Sequence, residues 1–178
     1  MILWGIGELV LALTRRASAG QSRDQGSLRL LSIVLWTSMA MAVYAGFTHW
    51  ASFPSTIVAP LAWLGLIVLL AGLVLRAWSI RVLSRQFTVD VAIRDDHQLI
   101  RSGPYALLRH PSYTGALMCF YGVGLMLGSW ASLVLLVIPP TLAFLHRIRI
   151  EEAVLSLAFP KDYPEYARTT KRLIPFVW

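Results

Sequence analysis

The sequence predicts an all-α integral membrane protein. It should have about five transmembrane helices, the last two forming a tight helical hairpin, and a C-terminal segment on the cytoplasmic side. Three observations carry this. Of 178 residues, 57% are hydrophobic and 14% charged, whereas soluble domains average roughly 45–50% apolar and about 25% charged. Apolar runs recur near the length that crosses a bilayer, about 20 residues for a hydrocarbon core of about 30 Å at 1.5 Å per residue. Finally, all 16 Lys and Arg fall in or at the edge of alternate segments flanking those runs, the C-terminal tail included.

In order, the runs are Met1 to Leu13, Leu28 to Trp50, Thr56 to Leu75, Tyr113 to Leu127 and Trp130 to Leu145. The first is short and contains Glu8, a costly group at mid-bilayer depth unless it faces other helices. It reads as a tilted or partial span. Only Gly128 and Ser129 separate the last two runs, so these helices must turn back on each other directly. The first gap, with the opening edge of the run that follows it, holds Arg15, Arg16, Arg23 and Arg29, the third holds Arg76 to Arg109, and the tail holds Arg147 to Arg172. The second and fourth gaps hold no Lys or Arg, which by the positive-inside rule puts the basic side in the cytoplasm and the N-terminus outside. The chain thus divides into residues 1–75, with three spans, and residues 76–178, with the hairpin and the two long polar segments.

The net charge of +7 does not point to nucleic acid, because the basic residues are confined to gaps between apolar runs. A single cysteine, Cys119, precludes an internal disulfide, and no Cys/His cluster has metal-ligand spacing. Neither a Walker loop nor HExxH occurs. Gly122, Gly124 and Gly128 lie within or at the end of an apolar run with no preceding strand, so close helix packing accounts for them better than a dinucleotide loop.

The polar segments have local signatures. Residues 76–85 continue the preceding helix, with Arg76, Arg81 and Arg85 as snorkelling anchors at the surface. Phe87 to Ile93 alternates and reads as extended, and Asp95-Asp96-His97 as a turn. Gly103-Pro104 breaks the chain, and His110-Pro111 opens a helix, since proline's missing N–H is no loss in a first turn. The last helix should run past the membrane through Arg147, Glu151 and Glu152. Arg147 and Glu151 are four apart and share a face. Asp162 to Tyr166 reads as a short helix, and Arg172 to Phe176, basic then apolar, as a segment docking back on the bilayer.

The hairpin makes one prediction of its own. Helices of similar length folded tightly together return to the same depth, so Arg109 and His110 should sit beside Arg147 to Glu152. Guanidinium, imidazole, phenol and carboxylate groups then form one cluster at the cytoplasmic surface.

These residues resemble the isoprenylcysteine carboxyl methyltransferase family, which is related to the phospholipid methyltransferases. The matching elements are His97-Gln98-Leu99-Ile100, Ser102-Gly103-Pro104-Tyr105, and Arg109-His110-Pro111-Ser112-Tyr113-Thr114-Gly115. After the hairpin come Arg147 to Glu152, Phe159, Tyr163, Tyr166 and Leu173-Ile174-Pro175. One departure is Pro160, where the family usually has Gly. The resemblance implies methyl transfer from S-adenosylmethionine to a lipophilic or prenylated acceptor arriving from the bilayer, most favourably a carboxylate, with no metal and no nucleic acid involved. The implied location is the inner or plasma membrane, with the site facing the cytoplasm.

On that reading, His97, Gly103, Pro104, Tyr105, Arg109, His110, Tyr113, Gly115, Glu151, Glu152, Tyr163 and Tyr166 bind the cofactor. Arg fits its carboxylate as a planar fork, a Glu accepts from its ammonium or ribose hydroxyls, tyrosine faces meet the adenine or sulfonium, and Gly103 and Gly115 allow close approach. Arg147, with Arg109 second, orients the acceptor carboxylate, whose tail lies among the helices at 56–75, 113–127 and 130–145. Two rival readings are an NADPH-dependent membrane reductase of the sterol-reductase type and a non-catalytic membrane scaffold.

Overall fold

The computed structural model describes residues 26–83 and 99–175. The expected first span with Glu8, the extended stretch 87–93, the turn at 95–97 and His97 lie outside the described residues. Within them are five α-helices and one 3-10 turn. They are α1 (Ser27–Phe47), α2 (Ser55–Leu83), the 3-10 turn Gly103–Ala106, α3 (Pro111–Met126), α4 (Trp130–Ala158) and α5 (Asp162–Thr169). Only two isolated β-bridges join described residues.

Three helices, α1, α2 and α4, are long and apolar enough to cross a membrane. Both α2 and α4 have 29 residues and so reach about 43 Å, well beyond the ~30 Å hydrocarbon core. Their excess lies at one end, as the charged continuations at 76–83 and 147–158 suggested. The 16-residue α3 is shorter than a typical span. It lies at the centre, buried along most of its length between α2 and α4. Outward faces of the other helices carry exposed Trp36, Tyr44, Trp63, Ile67, Val74 and Leu142, the side chains a bilayer would cover.

The closest pairing is α2 against α3, and glycine makes it possible. A Cβ added at Gly65 would lie 2.5 Å from the Gly122 carbonyl oxygen, and one at Gly72 would lie 2.6 Å from that of Gly115. The pairs run antiparallel at seven-residue intervals on each helix, so the backbones touch at successive heptads. Lipid tails are as apolar as Leu, so dispersion between closely approached backbones is what holds such a seam together. Gly122 therefore packs helices, as its sequence context suggested.

On the other flank, α1 pairs with α4. Leu31, Ala116, Leu117, Ala143, Phe144, Ile148 and Leu173 form one apolar cluster across α1, α3, α4 and the tail. The hairpin between α3 and α4 turns at Gly128, with φ +68°, a left-handed value that favours glycine. Ser129 then caps α4 by accepting from the Ser132 N–H.

Candidate active site

All Lys, Arg, Asp and Glu among the described residues lie at one end of the bundle, where α1 and α3 begin and α2 and α4 finish. Pro111 starts α3 with His110 as its N-cap, which sets the imidazole at the base of the helix. The same hairpin returns α4 to this depth, so Glu151 and Glu152 face the 109–110 segment, as the length argument required.

Glu152 is the hub. Its Oε1 lies 3.1 Å from Arg109 Nε and 3.4 Å from His110 Nε2, and Arg172 Nη2 lies 2.9 Å from its Oε2. Arg172 Nε donates to both carboxylate oxygens, at 3.2 and 3.0 Å. Such multi-point contact is the strong form of a charge-assisted bond, and it raises the Arg172 pKa above its usual value. Glu151 is held less tightly, its Oε2 3.6 Å from His110 Nδ1. Three buried atoms in this cluster make no hydrogen bond among the described residues: Arg109 Nε, Glu151 Oε2 and the Tyr163 hydroxyl. The first still has its ion pair with Glu152.

The tail locks the cluster in place. Backbone N–H groups of Arg109 and His110 donate to the Lys171 and Arg172 carbonyls, and that of Lys171 donates to Leu107. Arg109 Nη1 donates to the Ala167 carbonyl, and Thr114 Oγ1 to that of Leu173. Leu173 is buried. Lys171 to Leu173 of the tail thus dock on the protein, held by this short backbone ladder joined to the Arg172–Glu152 pair, while Ile174 is exposed. Arg172 was missed as a site residue, since twenty positions separate it from Glu152 and only the fold joins them.

Arg147 occupies a second, deeper position. It is 2% exposed. Its Nε donates to the Tyr113 phenol oxygen at 3.0 Å and its Nη1 to Ser27 Oγ at 2.9 Å. Tyr113 stacks on His110 with centroids 5.6 Å apart and planes 5° apart, linking the two positions. Arg76, expected to be an anchor, instead reaches Ser112 with Nη1, donating to its Oγ at 2.9 Å and its carbonyl at 3.1 Å.

Other expected site residues make structural contacts of their own. Gly115 was expected to admit a ligand, but the space beside it is filled by α2: a Cβ there would lie 2.7 Å from the Gly72 carbonyl oxygen. The Tyr166 hydroxyl donates to the Tyr105 and Leu108 carbonyls, pinning the loop that carries Pro104 and Tyr105. Gly103 has φ +59° and faces Val82 and Trp78. Burial pushes the Tyr105, Tyr163 and Tyr166 phenols up, Tyr166 to about 12, so all three remain neutral hydroxyls at physiological pH. The glycine seam also leaves no room for a lipid tail between α2 and α3 at the level of Gly65 to Gly72. Pro160 does not disturb the turn after α4, where the Tyr163 N–H still donates to the Phe159 carbonyl at 3.0 Å.

A profile of the phospholipid methyltransferase family matches residues 61–162. Protein-S-isoprenylcysteine O-methyltransferase A of Arabidopsis thaliana is 30% identical over 182 residues, covering 99% of this chain and 90% of the relative. The chain belongs to the isoprenylcysteine carboxyl methyltransferase family. A probable protein-S-isoprenylcysteine O-methyltransferase of Oryza sativa subsp. indica is 33% identical over 118 residues, 65% of this chain and 62% of the relative. Among solved structures, a eukaryotic intramembrane Ras methyltransferase, isoprenylcysteine carboxyl methyltransferase, aligns with a TM-score of 0.68 and 28% identity. That alignment covers 82% of this chain and 52% of the solved one. The chain thus spans between half and two thirds of the length of the rice relative and the solved structure. The family's fold is therefore that of the described helices, and most of α2 and all of α3 and α4 lie inside the segment matched by the family profile.

Proposed function

We propose that the chain is an integral membrane S-adenosylmethionine-dependent methyltransferase acting on a lipophilic acceptor, most favourably the carboxylate of an isoprenylcysteine-like molecule. Its site faces the cytoplasm of the inner or plasma membrane. The observation that carries this reading is the juxtaposition of Arg109, His110, Glu151, Glu152 and Arg172 at the charged end of an otherwise apolar bundle.

The residues fit such a cofactor. Two guanidinium groups and an imidazole beside two carboxylates suit a zwitterionic amino-acid head. Glu151 has a buried oxygen to accept from the ammonium or a ribose hydroxyl, and Tyr163 has a buried hydroxyl to offer. Glu152 is already engaged with two guanidinium groups and an imidazole, so its work is to hold Arg109, His110 and the tail in register. Arg109 supplies the positive charge and His110 an imidazole N–H for the carboxylate. When bound, S-adenosylmethionine supplies an electrophilic methyl carbon on a sulfonium.

A carboxylate acceptor is already ionised and needs no general base, which agrees with phenols that remain neutral. It needs orientation, and proximity with alignment contributes much of the acceleration in such displacements. Arg147, buried at the membrane-facing side of the cluster, is the cation to align the acceptor's carboxylate while its apolar tail stays in lipid.

The test is transfer of a labelled methyl group from S-adenosylmethionine by the detergent-purified protein to a panel of lipophilic acids, thiols and amines, with NADPH binding measured in parallel. Labelled methyl ester on a prenylated cysteine acid is the expected result. NADPH binding without S-adenosylhomocysteine binding overturns the proposal in favour of a reductase, and no transfer to any acceptor overturns it in favour of a scaffold.

A further inference from the structure

Arg147 is held from two sides by two different helices. Its Nε donates to Tyr113 of α3 at 3.0 Å, and its Nη1 donates to Ser27 Oγ at 2.9 Å. Ser27 is the first residue of α1, is 2% exposed, and lies outside the segment 61–162 matched by the family profile. A guanidinium is planar and its donors diverge in fixed directions. One anchor at Nε leaves the plane free to swing about that bond, whereas a second on another nitrogen fixes both its position and its tilt. Tyr113 is itself fixed by stacking on His110. The Ser27 hydroxyl is therefore a contact through which α1 sets the guanidinium plane.

We propose that Ser27 is a positioning residue of the site. With Tyr113 it fixes the plane of Arg147, so that the guanidinium meets the acceptor carboxylate in one orientation, and α1 is a working part of the site as well as a membrane anchor. The inference rests on the reading of Arg147 given above. A hydroxyl that merely satisfied a buried charge would affect stability without favouring the acceptor over the cofactor, and this separates the two roles.

The experiment uses the full chain in detergent, labelled S-adenosylmethionine and an amine-blocked S-farnesylcysteine with a free carboxylate. Ser27→Ala should lower kcat/KM for that acceptor about tenfold, the scale of one lost charge-assisted hydrogen bond. S-adenosylhomocysteine affinity should remain unchanged, and Ser27→Thr, which keeps the hydroxyl, should restore most of the rate. In an Arg147→Lys background, Ser27→Ala should cost nothing more, because the fork it positions is gone. Equal losses in acceptor kinetics and cofactor-product affinity, or a loss that Thr does not rescue, assign Ser27 a structural role and overturn the proposal. An unchanged Ser27→Ala rate beside a crippled Arg147→Lys variant overturns it while leaving the reading of Arg147 standing. Full activity in Arg147→Lys sinks both.

Discussion

The two ends of the bundle solve the same problem, closing a pair of helical turns, with different chemistry. At the uncharged end, the Phe53 N–H donates to the Gly128 carbonyl at 2.8 Å and the Trp130 N–H to that of Ala51 at 2.9 Å. Ser129 Oγ donates to the Trp50 carbonyl at 2.6 Å, and Phe53 meets Trp130 edge-on. At the charged end, a comparable backbone ladder joins 107–110 to the tail, but buried ions are added to it. Ladders close turns without them, and burying ions carries a desolvation cost. The charges are thus concentrated where a polar ligand would use them, and the difference separates what folds the chain from what the site adds.

Substitutions at the two ends should have different consequences. The largest effect is expected for Glu152→Ala, which removes the acceptor shared by Arg109, His110 and Arg172. Breaking a fully buried pair from one side costs about 3–5 kcal/mol; these groups are partly buried, with the Arg172 side chain 36% exposed, so thermal denaturation in detergent should show a loss of stability below that range, together with loss of methyl transfer. Next, Arg147→Lys keeps the charge but loses the fork. Turnover should fall roughly 10- to 100-fold, on the order of 1.4–2.7 kcal/mol in the barrier, while S-adenosylhomocysteine affinity measured by calorimetry stays nearly constant. Gly115→Ala sets a methyl against the Gly72 carbonyl. Overpacking of this kind costs about 1–3 kcal/mol, to be read as a lower Tm with the residual activity per folded molecule preserved. At the uncharged end, Ser129→Ala should cost only about 1 kcal/mol and leave kcat unchanged. A kinetic defect there would dissolve the distinction between the two ends.

Much of this arrangement was legible in the sequence, for physical reasons that differ by element. Three of the expected spans were visible because the bilayer sets a length, and the Arg109–Glu152 meeting followed from a two-residue break between apolar runs of similar length. Pro111 and the Gly122 packing surface were readable because each residue type has few other uses there. What was not legible depended on long-range geometry. Nothing local tells that Arg172 turns back to Glu152, that Ser27 reaches Arg147 across 120 positions, or that Gly115 faces Gly72 and not a ligand. The same limit applied to Tyr166, whose hydroxyl had two plausible uses until the Tyr105 carbonyl lay within 2.7 Å of it.

The most direct test is calorimetric binding of S-adenosylhomocysteine to the wild-type protein and to the Arg109→Ala and Glu151→Gln variants, with helix content followed by circular dichroism. Micromolar-range binding by the wild type, weakened at least about tenfold in each folded variant, is the result expected if the charged end holds the methyl donor. Equal affinity in all three proteins would mean that this cluster only braces the helices.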